Sequence, residues 1–123
     1  MRTALAVIAL ALAAGSAQAA GGTTALRIVV RASPDGTRRV ATLRCNPARG
    51  TVARPGAACR RLISGGRALF APTPRGVACT QIYGGPQVAV VSGTYMSRRV
   101  WARFRRTDGC QTERWNRVAF LFH

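Results

Sequence analysis

Short alternating apolar segments, turn dipeptides between them and one alanine-rich helical stretch predict an α+β domain. The expected architecture is about five antiparallel strands with one or two short helices on one face. Four cysteines, Cys45, Cys59, Cys79 and Cys110, all lie in the same region. An even count in a small exported domain reads as two disulfides, which would brace a modest core.

The chain opens Met1-Arg2-Thr3 and continues as an unbroken apolar run over residues 4–14. A positive start, an apolar core shorter than the roughly 20 residues of a spanning helix, and the exit Ala17-Gln18-Ala19 predict a secretory signal peptide over residues 1–19. Residues 20–25 are expected to form a flexible tail. Residues 26–123 suffice for one domain, with no second stretch of spanning length. The product is therefore expected to be secreted and extracellular, without a membrane partner.

Residues 26–31, Leu-Arg-Ile-Val-Val-Arg, are rich in β-branched side chains and read as the first strand. Ser33-Pro34-Asp35-Gly36 supplies a turn, and residues 39–45 return as the second strand of an antiparallel hairpin. Residues 46–56 read as a proline- and glycine-containing loop. Residues 57–63 have helical character, with Ala58, Leu62 and Ile63 able to share a face before Gly65-Gly66 stops the helix. Residues 72–85 read as irregular, with Cys79 in their middle. Residues 88–91 and 99–104 read as two further strands joined through Ser92-Gly93. A polar stretch around Cys110, residues 108–114, fits one or two helical turns. Residues 118–122, Val-Ala-Phe-Leu-Phe, read as the last strand.

Composition narrows the chemistry. The chain carries 19 basic residues against 3 acidic ones, a formal net charge of +16, and every basic residue is arginine. Loss of Arg2 with the signal peptide leaves +15. Such a field attracts polyanions, nucleic acid or anionic cell-surface polymer among them. The arginines are scattered in pairs, however, and an arginine- and alanine-rich composition is also what a high-GC genome produces. An enzyme is not expected. The only histidine, His123, is the terminal residue, so a Ser-His-Asp set has no positioned base. Asp35, Asp108 and Glu113 are the only carboxylates. No phosphate loop or cofactor fingerprint occurs, so no cofactor is expected. No cysteine pair has the short Cys-x-x-Cys spacing of a zinc site, so no metal is expected either.

The stretch Val77-Ala78-Cys79-Thr80-Gln81-Ile82-Tyr83-Gly84-Gly85-Pro86 resembles the reactive segment of the Streptomyces-type subtilisin inhibitor family. There a cysteine stands two residues before the side chain that fills the protease S1 pocket, and an aromatic residue follows two positions after it. The likeness runs from residue 26 to residue 122, with all four cysteines in family order. It departs at Gly84-Gly85-Pro86, where the family continues Asp-Pro and this chain has one residue more. The resemblance implies a five-stranded antiparallel sheet with two helices, disulfides Cys45–Cys59 and Cys79–Cys110, and a homodimer. It also implies a subtilisin-like serine protease as partner and Gln81–Ile82 as the reactive bond, with Ala78, Cys79, Thr80 and Tyr83 lining the protease. Ala78 is small for the S4 pocket, Gln81 disfavours trypsin-like targets, and Gly84-Gly85 is expected to loosen the loop. The alternative is a secreted cationic binding protein, or a structural or carrier role, on a degenerate inhibitor scaffold.

Overall fold

The computed structural model describes residues 22–123; the predicted signal peptide lies outside them. Five strands form one antiparallel sheet: β1 (Ala25–Arg31), β2 (Arg38–Arg44), β3 (Arg49–Gly50), β4 (Gly85–Tyr95) and β5 (Arg98–Arg106), in spatial order β3-β2-β1-β4-β5. Helices α1 (Pro55–Gly65) and α2 (Gly109–Val118) complete the α+β fold, and two short 3-10 turns follow them.

Strand periodicity decides which face is covered. Leu26 and Ile28 on β1, Ala41 and Leu43 on β2, Ala89 and Val91 on β4, and Ala102 and Phe104 on β5 are all buried. Their register confirms that they share one face: Ile28 lies opposite Ala41 and Val91, and Val91 lies opposite Ala102. The helices supply the second layer through Ala58, Cys59 and Leu62 of α1 and Trp115 and Val118 of α2. Aromatic rings fill the space between, with Trp115 tilted against Phe122 at 4.5 Å and Phe104 meeting it edge-on at 5.8 Å. Ile63, expected on the buried side of α1, is exposed. Ala58, Cys59 and Leu62, at spacings of three and four, form the face that meets the sheet.

Three boundaries differ from the sequence reading. Residues 118–122 are not a strand: α2 runs to Val118 and a 3-10 turn continues over Ala119–Leu121. Trp115, Val118, Leu121 and Phe122 are all buried, and their spacing of three and four is the helical period, which overrides the β-propensity of the run. The fifth place in the sheet falls instead to the two-residue β3, inside the expected loop. β4 does not turn at Ser92-Gly93 but passes through to Tyr95. Gly93 has φ +130, and a Cβ there would strike the Ala25 carbonyl of the neighbouring strand, so it serves a close strand approach. The actual turn is Met96-Ser97, both with positive φ, as a type I′ hairpin requires. Neither is glycine. Thr23 and Thr24 hold the turn instead: the Ser97 N–H donates to the Thr23 carbonyl at 2.8 Å, and the Met96 N–H to the Thr24 hydroxyl at 3.2 Å. The tail expected over residues 20–25 is thus engaged at its end, with Thr24 buried and Ala25 already in β1.

His123, expected to be unheld, is fixed through its backbone. Its carbonyl accepts from the Ala53 N–H at 2.8 Å, and the Arg39 guanidinium donates to the Phe122 carbonyl.

Tyr95 links the two layers, donating its hydroxyl to the Leu62 carbonyl of α1 at 2.6 Å. Burial raises its pKa above the ordinary phenol value, and Arg67 opposes the shift in part. A group whose pKa is raised on folding contributes stability below its unfolded value, near 10, and loses it as pH climbs through the folded value. Chemical denaturation between pH 7 and 11 should therefore show stability falling above about pH 10. Tyr95→Phe should cost about 1 kcal/mol at neutral pH and flatten that alkaline decline.

Candidate functional site

Between the first 3-10 turn and β4, residues 71–84 cross the end of the sheet without regular structure. Ala78, Thr80 and Gln81 are exposed, Ile82 is 70% exposed, Tyr83 is 63% exposed, and only Cys79 is half-buried. Exposure alone describes any loop. What distinguishes this one is how it is held.

On its N-terminal side the loop is tied twice to the start of α2. Cys79 is bonded to Cys110, and the Thr80 carbonyl accepts the Gly109 N–H at 2.9 Å. That N–H belongs to the first turn of a helix and has no partner inside it. The loop supplies the carbonyl that the helix end needs. Asp108 caps the same end, its carboxylate accepting from the Gln111 N–H at 2.9 Å. The approach is close, for a Cβ on Gly109 would strike the Thr80 hydroxyl and force that side chain aside.

On the C-terminal side the Gly84 N–H donates to the Arg106 carbonyl at 2.7 Å. A Cβ on Gly84 would come within 2.8 Å of the Thr112 hydroxyl. Gly84-Gly85, expected to loosen the loop, instead closes it onto β5, with Gly85 paired to Arg106. The register of β4 against β5 shifts between Gly85 and Ala89. Across it β4 advances four residues while β5 advances two, so the irregularity takes up two extra residues on β4 without breaking the pairing on either side. Gln81, Ile82 and Tyr83 are left spanning the interval between the two anchors. The Gln81 side-chain amide folds back to donate to the Cys79 carbonyl at 3.3 Å.

A deeper support lies under the loop. Arg114 of α2 is buried and donates to the Ala71 carbonyl at 3.0 Å, to the Arg103 carbonyl at 3.2 Å and to the Gln111 side chain at 3.1 Å. Its guanidinium carbon also lies 5.0 Å from the centre of the Phe104 ring. Burial lowers its pKa, with Arg117 adding to the effect. One cation thus joins the start of the loop, the edge strand and the helix that carries Cys110. Arg106, Gly109 and Arg114 escaped the sequence reading, and Gly84 was read there with the opposite effect. Asp108-Gly109 ahead of Cys110 was the available signal, a capping residue placed where a helix starts.

The second disulfide, Cys45–Cys59, ties the end of β2 to α1. Cys79, Asp108 and Cys110 lie close enough together to suggest a metal site, but the two sulfurs are bonded to each other, which leaves one carboxylate as donor.

This loop, the paired disulfides and the sheet can be set beside known proteins. The subtilisin inhibitor-like family model matches residues 7–107. The chain belongs to the subtilisin inhibitor-like family. Among solved structures it is similar to Streptomyces caespitosus sermetstatin, solved in complex with Bacillus licheniformis subtilisin. The two are 25% identical with a TM-score of 0.53, over 79% of this chain and 97% of that one. No curated protein matches in sequence. No helix among the described residues is long and apolar enough to cross a membrane.

The anchors predict separable effects on loop and fold. Replacing Cys79 and Cys110 together by serine should cost roughly 3–4 kcal/mol by the chain-entropy argument, while the hairpin of β1 and β2 persists. Gly109→Ala should cost less, about 1–3 kcal/mol from the forced contact. It should displace Thr80 all the same, which limited proteolysis would read as faster cleavage within residues 77–84 with little change in far-UV circular dichroism.

Proposed function

We propose that this protein inhibits subtilisin-like serine endopeptidases by presenting residues 78–83 as a rigid substrate mimic, with Gln81–Ile82 as the reactive bond. The observation that carries this reading is the double anchorage. The Cys79–Cys110 bridge and the Thr80–Gly109 hydrogen bond hold one side of the bond, and the Gly84–Arg106 hydrogen bond holds the other. A segment already held extended loses little conformational entropy on docking, which favours tight binding. If the bond is cut, held ends stay adjacent and can be resealed. The family match and the subtilisin-bound neighbour support the same partner class.

In this reading Ala78, Cys79 and Thr80 add to the protease as a strand. Gln81 enters S1, and Ile82 and Tyr83 meet the leaving side. The hydrogen bond from the Gln81 side chain to the Cys79 carbonyl is exposed and exchanges readily for one to the protease. A neutral amide at Gln81 offers no cation to a trypsin-like pocket. Secretion, implied by residues 1–19, would bring the inhibitor to extracellular proteases.

The homodimer implied by the resemblance has a candidate surface in the valines on the uncovered side of β1, β2 and β4. Val29 lies opposite both Val40 and Val90. Arginines surround that band, so like charge opposes self-association and salt relieves it. Sedimentation at 50 and 500 mM NaCl should therefore show the dimer fraction rising with salt; monomer throughout removes the dimer.

The decisive test is a set of inhibition constants against subtilisin and trypsin. Gln81→Lys should create or strengthen trypsin inhibition. Gln81→Met should tighten subtilisin binding by about 1–2 kcal/mol through added apolar burial. Gln81→Pro should abolish both by changing the backbone at the bond. Thermal melts should be unchanged by the first two. Equal constants across the set with unchanged melts would mean that Gln81 is not the contact residue.

A further inference from the structure

The helices cover one face of the sheet and leave the other open. Strand register turns that open face into a grid. One row reads Arg44, Ala25, Thr94, Arg99; the next Thr42, Arg27, Ser92, Trp101; the next Val40, Val29, Val90, Arg103. Arg38 and Arg31 begin a fourth row with Val88, and alternation along β5 adds Arg105 to the same side. Seven arginines therefore share one face. No carboxylate occurs anywhere on β1, β2, β4 or β5.

These arginines differ from those packed into the helical layer. Arg39, Arg114 and Arg117 donate to carbonyls on the helical side, and Arg61 and Arg106 lie over aromatic rings there. Among the described residues no side-chain hydrogen bond or ring contact is made by the seven on the open face. In their midst stands Trp101, 68% exposed. Arg99 and Arg103 flank it two residues away on either side, on the same face of β5, at about 6.8 Å spacing. Beside it a shallow hollow of about 200 Å³ is lined by Val29, Val90, Pro34, Arg31 and Arg103.

We propose that this open face binds single-stranded nucleic acid, independently of the reactive loop. Charge complementarity calls for an extended polyanion, and Trp101 with its valine floor selects one that also carries flat apolar rings. An open sheet face with an exposed aromatic between cations offers bases a stacking platform and phosphates a set of guanidinium partners. A sulfated glycan or polyphosphate would meet the arginines and leave Trp101 unused. A second copy of the chain, which would use the same valines, sets seven arginines against seven with no carboxylate between them. At low salt the face is therefore left to the polyanion, and self-association waits for salt to screen the charge.

The test uses the secreted mature chain at 50–300 mM NaCl with a fluorescein-labelled oligothymidylate of 20 nucleotides, read by anisotropy and by tryptophan emission. Binding should weaken with salt and quench the exposed, red-shifted Trp101 emission, leaving the buried Trp115. Trp101→Ala should weaken binding roughly tenfold. The pair Arg27→Ser and Arg103→Ser should lower the salt slope by about 1.4, two phosphate contacts at 0.7 each. Arg54→Ser with Arg60→Ser, outside this face, should do neither. Heparin and polyphosphate compete through charge, and their binding should be indifferent to Trp101→Ala. The proposal is overturned if no binding occurs at 50 mM NaCl, or if Trp101→Ala has no effect. It is equally overturned if the control pair weakens binding as much as the face pair, or if a dimer closes the face at low salt. Subtilisin inhibition by the same variants, measured without oligonucleotide, is expected to be unchanged, so failure here and failure of the inhibitor reading are separate results.

Discussion

The fold turns on the junction where the loop meets the start of α2. A helix begins with N–H groups that its own turns cannot satisfy, and an extended loop has carbonyls with no ladder to join. Here the two deficits meet at Thr80 and Gly109, beside the covalent bridge from Cys79 to Cys110. Neither bond would order the loop if α2 could move. α2 is fixed because Trp115 and Val118 are buried against the sheet and Arg114 reaches across to β5 and to Ala71. Order thus passes from the aromatic core to the helix, from the helix to two residues of the loop, and from them to Gln81.

Much of this was legible in the sequence because it depends on local patterns. The β1–β2 hairpin followed from β-branched residues around Pro34-Asp35-Gly36, and α1 from the alanines ahead of Gly65-Gly66. The position of Cys79 two residues before Gln81 pointed to the loop. What was not legible depends on partners distant in sequence. Residues 118–122 have strand composition, and only packing on Phe104 from β5 shows that their period is helical. Gly84-Gly85 looked slack because glycine is slack in isolation. The Arg106 carbonyl, more than twenty residues away, makes it a clamp. Met96-Ser97 carries no glycine to announce a tight turn, and its support comes from Thr23 and Thr24 at the other end of the domain.

Scarcity of acid shapes the rest of the molecule. With three carboxylates for nineteen arginines, ion pairing cannot be the general solution for cations in this fold. Next to the core, guanidinium groups use backbone carbonyls and ring faces instead. Arg114 is the fullest case, with two carbonyls, one side-chain amide and the Phe104 ring. A guanidinium suits this use because its donors are planar and spread, and its flat face tolerates an aromatic neighbour. Lysine has one compact ammonium and could not hold the same three partners in place.

That distinction bears on what the excess charge means. Compositional drift toward arginine would add cations wherever the surface tolerates them, without regard to which face they occupy. The helical layer does hold scattered arginines, and several of them have been absorbed into its packing. On the open face the strand period of two collects seven onto one side, around an aromatic side chain that burial would ordinarily have claimed. Self-repulsion among them costs stability at low salt, and nothing on that face of the chain offsets it. Salt screening relieves that cost, so the stability of the domain should rise with ionic strength. The loop and the open face therefore answer to different constraints. The loop has its anchors within the chain, whereas the arginines of the open face have no side-chain partner among the described residues.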